Sequence, residues 1–480
     1  MTVRTTPRSE PFALAPPDRA ELLARCERAT RRARRANTEV LAAVTVPVAP
    51  DVDPSAVAFA SRRGGEPWFC FEQPDRRNSA LATLGCARAI RTGGPRRFAD
   101  AAATWRELAG AAQAGSPDGP AGAGLVAVGG FAFAHEGGAA RHWRGFAAGD
   151  LVVPEVALAR SGADVRLTLT ALVSADDVPE EVVVRLEERA ADLRTTPLPM
   201  LDPAPAGKFE IASVAPPEHY VDAVARAAER IRAGDFEKIV LAREVAVHAP
   251  AAHDAAAVFG VLRAAFESCY VFCCGRGDAA FVAASPELLV RREGQRASTV
   301  ALAGSTRRSA DPAVDDHLGE SLLRSEKDRE EQAVVVRRIS RALRPHAVWV
   351  AAPDEPAIVK VANIQHLATP IRAQLRDPRS AIELAGLLHP TPAVGGEPHA
   401  VATPHIPVFE GFDRGWYAGP VGWTDANEDG EFCVALRCAL LRGHEARLFA
   451  GVGVMGDSDP AAELAETEVK LGALLPILSG

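Results

Sequence analysis

The chain has 480 residues, enough to bury a large core and, by length alone, about three domains. Hydrophobic residues make up 48% and charged residues 24%, a water-soluble composition, and the net charge of −8 argues against nucleic acid or an anionic membrane as partner. No apolar run approaches the roughly 18 residues that span a bilayer, and residues 1–17 lack the apolar centre of a signal peptide, so a cytoplasmic protein is expected. Cys26, Cys70, Cys86, Cys269, Cys273, Cys274, Cys433 and Cys438 form neither a paired Cys-x-x-Cys nor a Cys/His zinc spacing, which fits buried, reduced thiols.

Residues 1–20, rich in Pro, Thr and charge, are expected to form a loose arm. A helix is predicted over about 18–43, and its basic stretch RRARRAN (31–37) suits a solvated face. Alternating strands and turns follow to about 205. VAVGGFAFAHEGG (126–138) has period-two strands broken by glycines, VRLTLTALV (165–173) is a further strand, and VPEEVVVRLEERAADL (178–193) is an amphipathic helix. The Pro-rich segment 194–208 divides the chain into parts at 21–205 and 206–480. Beyond it a helix ends at Gly234, the strand FEKIVLAREVAVH begins, and helices and strands alternate without a repeat, an α+β or mixed α/β pattern.

Several stretches carry residues suited to chemistry. In SEKDREEQAVVV (325–336) six charged residues lead into an apolar run. As a helix that buries Val334, Val335 and Ile339, it places Asp328 and Glu331 on one face. The spacing recurs in AAELAETEVK, where Glu463 and Glu466 share a face and Lys470 follows one turn on. Two such helices can build an oxygen-rich site for a hard cation such as Mg²⁺, though the same spacing also suits exposed helix faces.

Lys238 opens a strand whose run Ile239, Val240, Leu241 predicts burial on both faces. A lysine there either snorkels to solvent or is a desolvated amine, its pKa lowered until it can act as a base. Glu287, between a Ser-Pro turn and an apolar strand, is either solvated or a partly buried carboxyl able to donate a proton. ALAGSTRR (301–308) and LHPTPAVGGEPH (388–399) read as loops whose backbone can approach an anion. Arg437 stands in EFCVALRCALL, which reads as one apolar strand; an unpaired guanidinium is expensive there and a planar carboxylate is its natural partner. RLFAGVGVMGDSDP ends a strand in glycines, which suits backbone amides aimed at a carboxylate.

KIVLAR, SPELL, LAGS, SEKDR, QHLATP, LHPTPA, VGW, FAGVG and AETEVK occur here in one series. In that order they resemble the chorismate-utilising enzymes, most closely the isochorismate synthase branch, over residues 210–480. Residues 50–205 match loosely, through GGFAF and the strand pattern. The resemblance implies an α/β (α+β) unit of two large mixed or antiparallel sheets packed as a sandwich with outer helices, the Pro-rich segment being a surface crossing. It implies chorismate as substrate and Mg²⁺ as cofactor, held by Glu331 and Glu466 with Asp328 and Glu463 beside them. Lys238 would be the base that activates water, and Glu287 the acid at the leaving hydroxyl. Arg437, Lys470 and the amide of Gly453 would hold substrate carboxylates, and Gly304, Ser305, His366 and Thr369 would line the cavity. The implied product is isochorismate, a precursor of menaquinone, siderophores or salicylate, made by a monomer or weak homodimer that binds neither nucleic acid nor membrane.

Ammonia-using relatives usually lack a lysine at the position of Lys238, and aminodeoxychorismate synthases carry one where Ala303 stands, so an amine product is disfavoured. Salicylate synthases share the acid and base and then expel pyruvate; the match through HLATP and LHPTPAVGG favours a synthase that stops at isochorismate. A chorismate-binding protein without catalysis would not need every acid, base and metal position filled, as they are here. One departure is Gln332, where the family usually has His after the metal-site Glu; it bears on the shell that orients Glu331.

Overall fold

A computed structural model describes residues 11–116, 118–203, 205–361 and 364–480. Half of the expected arm, residues 1–10, lies outside them, and the first helix already starts at Pro16. It spans Pro16–Ala36, shorter than expected. Asn37 takes a left-handed conformation (φ 52°) that closes the helix, and the β-rich VLAAVTVP then forms the strand Val40–Pro47.

Two sheets make up the frame, and every strand pair within them is antiparallel. Among the described residues the larger has 12 strands and the smaller 10. The Pro-rich segment does not separate them: Trp68–Gln73 pairs with Tyr270–Arg276, with Cys70 opposite Cys273, and Val126–Phe131 pairs with Pro420–Asp425. Strands from both sides of residues 194–208 therefore lie in each sheet. Between the sheets runs an aromatic seam in which Trp143 meets Phe281 and Phe449 at 5.3 and 5.7 Å, and Phe146 meets Trp416 at 5.1 Å between ring centroids.

Helices cover the outer faces. Pro217–Arg232 and Pro460–Leu471 pack on the strands Lys238–His248 and Glu445–Val454. Glu326–Leu343 packs on Arg296–Arg307 and Ile364–Leu375 and buries Val334, Val335 and Ile339, the face its spacing predicts. With cover on both sides, residues 238–247 of the strand Lys238–His248 are all buried. Among the described residues no helix is long and apolar enough to cross a membrane, and all eight cysteines are free thiols.

One ion pair ties the sheets together. Arg276 of the larger sheet donates from Nε to Asp150 Oδ2 of the smaller at 2.6 Å, with side-chain exposures of 6% and 1%. Removing one partner strands the other charge in a medium that cannot solvate it. Asp150→Ala should therefore lower stability by about 3–5 kcal/mol, measured as a shift of the urea midpoint at unchanged slope.

Candidate active site

Two of the chain's crossings between the sheets lie side by side. From Ala279–Ser285 of the larger sheet the chain passes to Leu288–Glu293 of the smaller, and Glu287 stands in the crossing. From Gly430–Val434 of the smaller it returns to Cys438–Arg442 of the larger, and Arg437 stands in that one. The predicted single strand through Arg437 is thus two strands with a bend between them. Arg437 has φ 48°, which breaks the ladder where the chain changes sheet. The crossings are stitched together: the Ser285 hydroxyl donates to the Val434 carbonyl, the Val434 amide to the Glu287 carbonyl at 3.0 Å, and the Ala284 amide to the Arg437 carbonyl at 3.1 Å.

A cavity of about 800 Å³, counting its open mouth, lies at this seam. Its wall includes Glu287, Gly304, Ser305, Asp328, Glu331, His366, Arg437, Gly453, Glu463, Glu466 and Lys470 of the residues expected from sequence. Lys238 and Thr369 are not on it. Lys238 is fully buried just behind, with Nζ 2.7 Å from Glu331 Oε1 but in no hydrogen-bond geometry with any group. Gly453 permits this packing: a Cβ there would stand 2.3 Å from Glu331 Oε1 and 3.0 Å from Lys238 Cε. Glu287 is 3% exposed, and burial pushes its carboxyl up to about 8, against the pull of Lys238 and Arg437. It is a protonated acid at neutral pH.

The two helices deliver their carboxylates to the same wall. In the run 326–331, Asp328 and Glu331 are partly buried while Glu326, Lys327, Arg329 and Glu330 are exposed, which separates the site face from the solvated one. Ser325 caps this helix and bonds the Asp328 carboxylate; Asp459 caps the second through the amides of Ala461 and Ala462 at 2.9 Å. Each glutamate faces a lysine. Glu331 meets Lys238, Glu466 meets Lys470 at 2.9 Å, and Glu463 meets Lys327 at 3.1 Å. Burial, with neighbouring carboxylates adding to it, pushes Asp328 and Glu463 above the usual carboxylate range. Burial also opposes the charge on Glu466, yet Lys470 and the Ser305 hydroxyl, 2.7 Å away, hold it low. Among the described residues no three such groups converge tightly enough to grip an ion as they stand.

Gly304 sits at a bulge in Arg296–Arg307 with φ 72°, and its carbonyl accepts from His366 Nδ1 at 3.3 Å. That fixes the proton on Nδ1 and leaves Nε2 to accept from Arg437 Nη2 at 3.4 Å. Burial, then the charges of Arg437 and Lys470, push His366 down to about 3. Arg437 has no carboxylate partner among the described residues, and burial lowers its pKa. The expectation for Thr369 is corrected: three residues beyond His366, it points to the other face of the strand. Its hydroxyl accepts from Gln332 Nε2 at 3.0 Å. Gln332 also donates to the Ala301 carbonyl at 2.9 Å and has no hydrogen bond to Glu331. Its amide braces helix against sheet.

Sequence reasoning missed Lys327, Tyr417 and Phe449 on the wall. Lys327 was signalled, because it lies four residues before Glu331 and shares its face. Tyr417 and Phe449 stack at 5.1 Å; Phe449 stands in RLFAGVGVMGDSDP, where the sequence pointed to the glycine amides and not to the ring, and Tyr417 had no signal of its own.

A comparison with known proteins bears on this geometry. Residues 25–479 match the profile of the chorismate binding enzymes. The chain belongs to that family. Among curated members, the salicylate biosynthesis isochorismate synthase of Pseudomonas aeruginosa is 37% identical over 456 residues, covering 94% of this chain and 93% of the relative. Isochorismate synthase MenF of Bacillus subtilis is 35% identical, covering 74% and 75%. Among solved structures, the menaquinone-specific isochorismate synthase MenF of Escherichia coli superposes with a TM-score of 0.76 at 26% identity, over 95% of this chain and all of that one. The fold is that of the chorismate-utilising enzymes.

The His366 assignment has a direct test. The imidazole should stay neutral with its proton on Nδ1 between about pH 5 and 8, giving ¹⁵N shifts of a single tautomer; a titration near the ordinary histidine value of about 6.5 would contradict the described contacts.

Proposed function

We propose that this chain is an isochorismate synthase, adding water at C2 of chorismate and releasing the C4 hydroxyl. The observation that carries the reading is a buried amine and a buried, protonated carboxyl beside one cavity, whose wall also holds an unpaired guanidinium and two pairs of carboxylates. The relatives and the structural neighbour named above, which carry this activity in their names, support it.

Chorismate has two carboxylates, and Arg437 and Lys470 are the cations on the wall suited to them, Arg437 as a planar fork. His366, neutral and hydrogen-bonded, holds the Arg437 fork in place without adding charge. Lys238 in its neutral form takes the proton of the attacking water. To reach the cavity, the amine needs the Glu331 carboxylate to move off it. Glu287 gives its proton to the departing hydroxyl. The carboxylates fit a hard divalent cation, because they are all-oxygen donors and burial with mutual repulsion already strains Asp328 and Glu463. Glu331 and Glu466, with Asp328 and Glu463 beside them, would hold Mg²⁺, which when bound supplies positive charge against the ring carboxylate. Ala303 on the wall, in place of a lysine, leaves water as the nucleophile.

The deciding experiment is incubation of purified protein with chorismate and Mg²⁺, followed by chromatography that separates isochorismate, salicylate and aminated products. Isochorismate alone is expected; salicylate as the main product would make the chain a salicylate synthase. Lys238→Ala should cut turnover about 10²–10⁴-fold with the fold intact; activity within a few-fold of wild type would remove it as the base. Glu287 acts only when protonated, so it sets the alkaline limb: kcat/KM should fall as the pH rises through about 8. Glu287→Gln should abolish the forward reaction, and a high-pH limb that survives in a still active variant would assign the limb elsewhere.

A further inference from the structure

The strand Lys238–His248 has a break along one edge. Gly396–Glu397 pairs with Lys238 and Ile239, and Glu210–Ser213 pairs with residues 245–248, which leaves 240–244 without a strand on that side. A side-chain pair fills the break. Glu410 ends the helix Ile406–Glu410, Arg414 follows four residues on, and their side chains are 1% and 3% exposed. Glu410 Oε1 accepts from the Ala242 amide at 2.7 Å, and Arg414 Nε donates to Glu410 Oε2 at 2.9 Å. Arg414 Nη2 donates to the Val240 carbonyl at 2.9 Å, while Nη1 donates to the Val394 carbonyl at 2.7 Å. The guanidinium also lies 4.3 Å from the Phe133 ring centroid and 5.5 Å from that of Tyr417.

Val240, Val394 and Tyr417 all line the cavity, whereas Glu410 and Arg414 do not. One rigid planar group therefore touches three parts of the wall from behind, and the angles between its N–H bonds are fixed. We propose that Glu410 and Arg414 are the positioning pair of this site, setting the spacing between the strand that opens with Lys238 and the wall at Val394. The inference rests on the reading of Lys238 as the base. A strand in place of the pair would satisfy the same edge, but it would not reach across to the Val394 carbonyl.

The test is Arg414→Lys, which keeps the charge beside Glu410 but replaces the planar fork, whose Nη1 and Nη2 each hold one carbonyl, by a single nitrogen. Counted per chorismate-binding site, kcat should fall about 30- to 100-fold, the scale of a misplacement near 1 Å. KM should change less than about threefold, because Arg437 and Lys470 are untouched. Hydrogen exchange should quicken in peptides covering 238–244 and 391–396. If this variant fails to fold, the uncharged Glu410→Gln/Arg414→Gln pair is measured in the same way. Full kcat per site in a variant whose two segments exchange faster overturns the proposal, and so does a loss that appears only as fewer binding sites. Should the wild type bind chorismate without turning it over, the functional reading falls instead, and unchanged exchange in both segments would then refute the pair on its own.

Discussion

An antiparallel sandwich has no edge strand to spare for an active site in its middle, so polar groups must enter where the ladders stop. Two of the places where they stop are neighbours. Glu287 and Arg437 occupy these two adjacent crossings between the sheets, and the hydrogen bonds among Ala284, Ser285, Glu287, Val434 and Arg437 hold them side by side. The raised carboxyl of Glu287 and the Arg437 guanidinium, without a carboxylate partner among the described residues, are thus carried by backbone that is pinned at both ends. Their burial follows from the topology, and burial is what raises one pKa and lowers the other.

The remaining groups arrive from outside the sheets. Two capped helices aim their acidic faces at the seam, and glycine lets them close in. At Gly453 any side chain would collide with Glu331 and Lys238, so the absent Cβ is what brings the amine and the carboxylate together. Local helix chemistry and a missing side chain on a strand combine to set a fully buried amine 2.7 Å from a carboxylate on the cavity wall.

Much of this was legible in the sequence, for reasons that can be named. Period 3.6 separated Asp328 and Glu331 from their exposed neighbours, and the apolar run after Lys238 showed a strand buried on both faces. Helix and strand periodicity could not show Arg437 leaving one sheet for another, since an apolar run looks the same on either side of a bend. Nor could it foresee that Asn37 would end the first helix early. Thr369 is the instructive miss: His366 and Thr369 are three apart on a strand, and the period of two already set them on opposite faces. The pairing of Glu410 and Arg414 with backbone far away in sequence had no local signal at all.

The lysine beside each glutamate has a consequence for how the site fills. Asp328, Glu331, Glu463 and Glu466 are set against Lys238, Lys327, Lys470 and Arg437, four acids and four bases, while Glu287 is uncharged. With all eight ionised, their charges cancel. A dianion entering alone, or a dication alone, would leave the enclosure carrying two uncompensated charges; arriving together they restore the balance. On the proposed reading, substrate and metal should therefore each tighten the other's hold by the same factor, a reciprocity that thermodynamic linkage requires once the coupling exists.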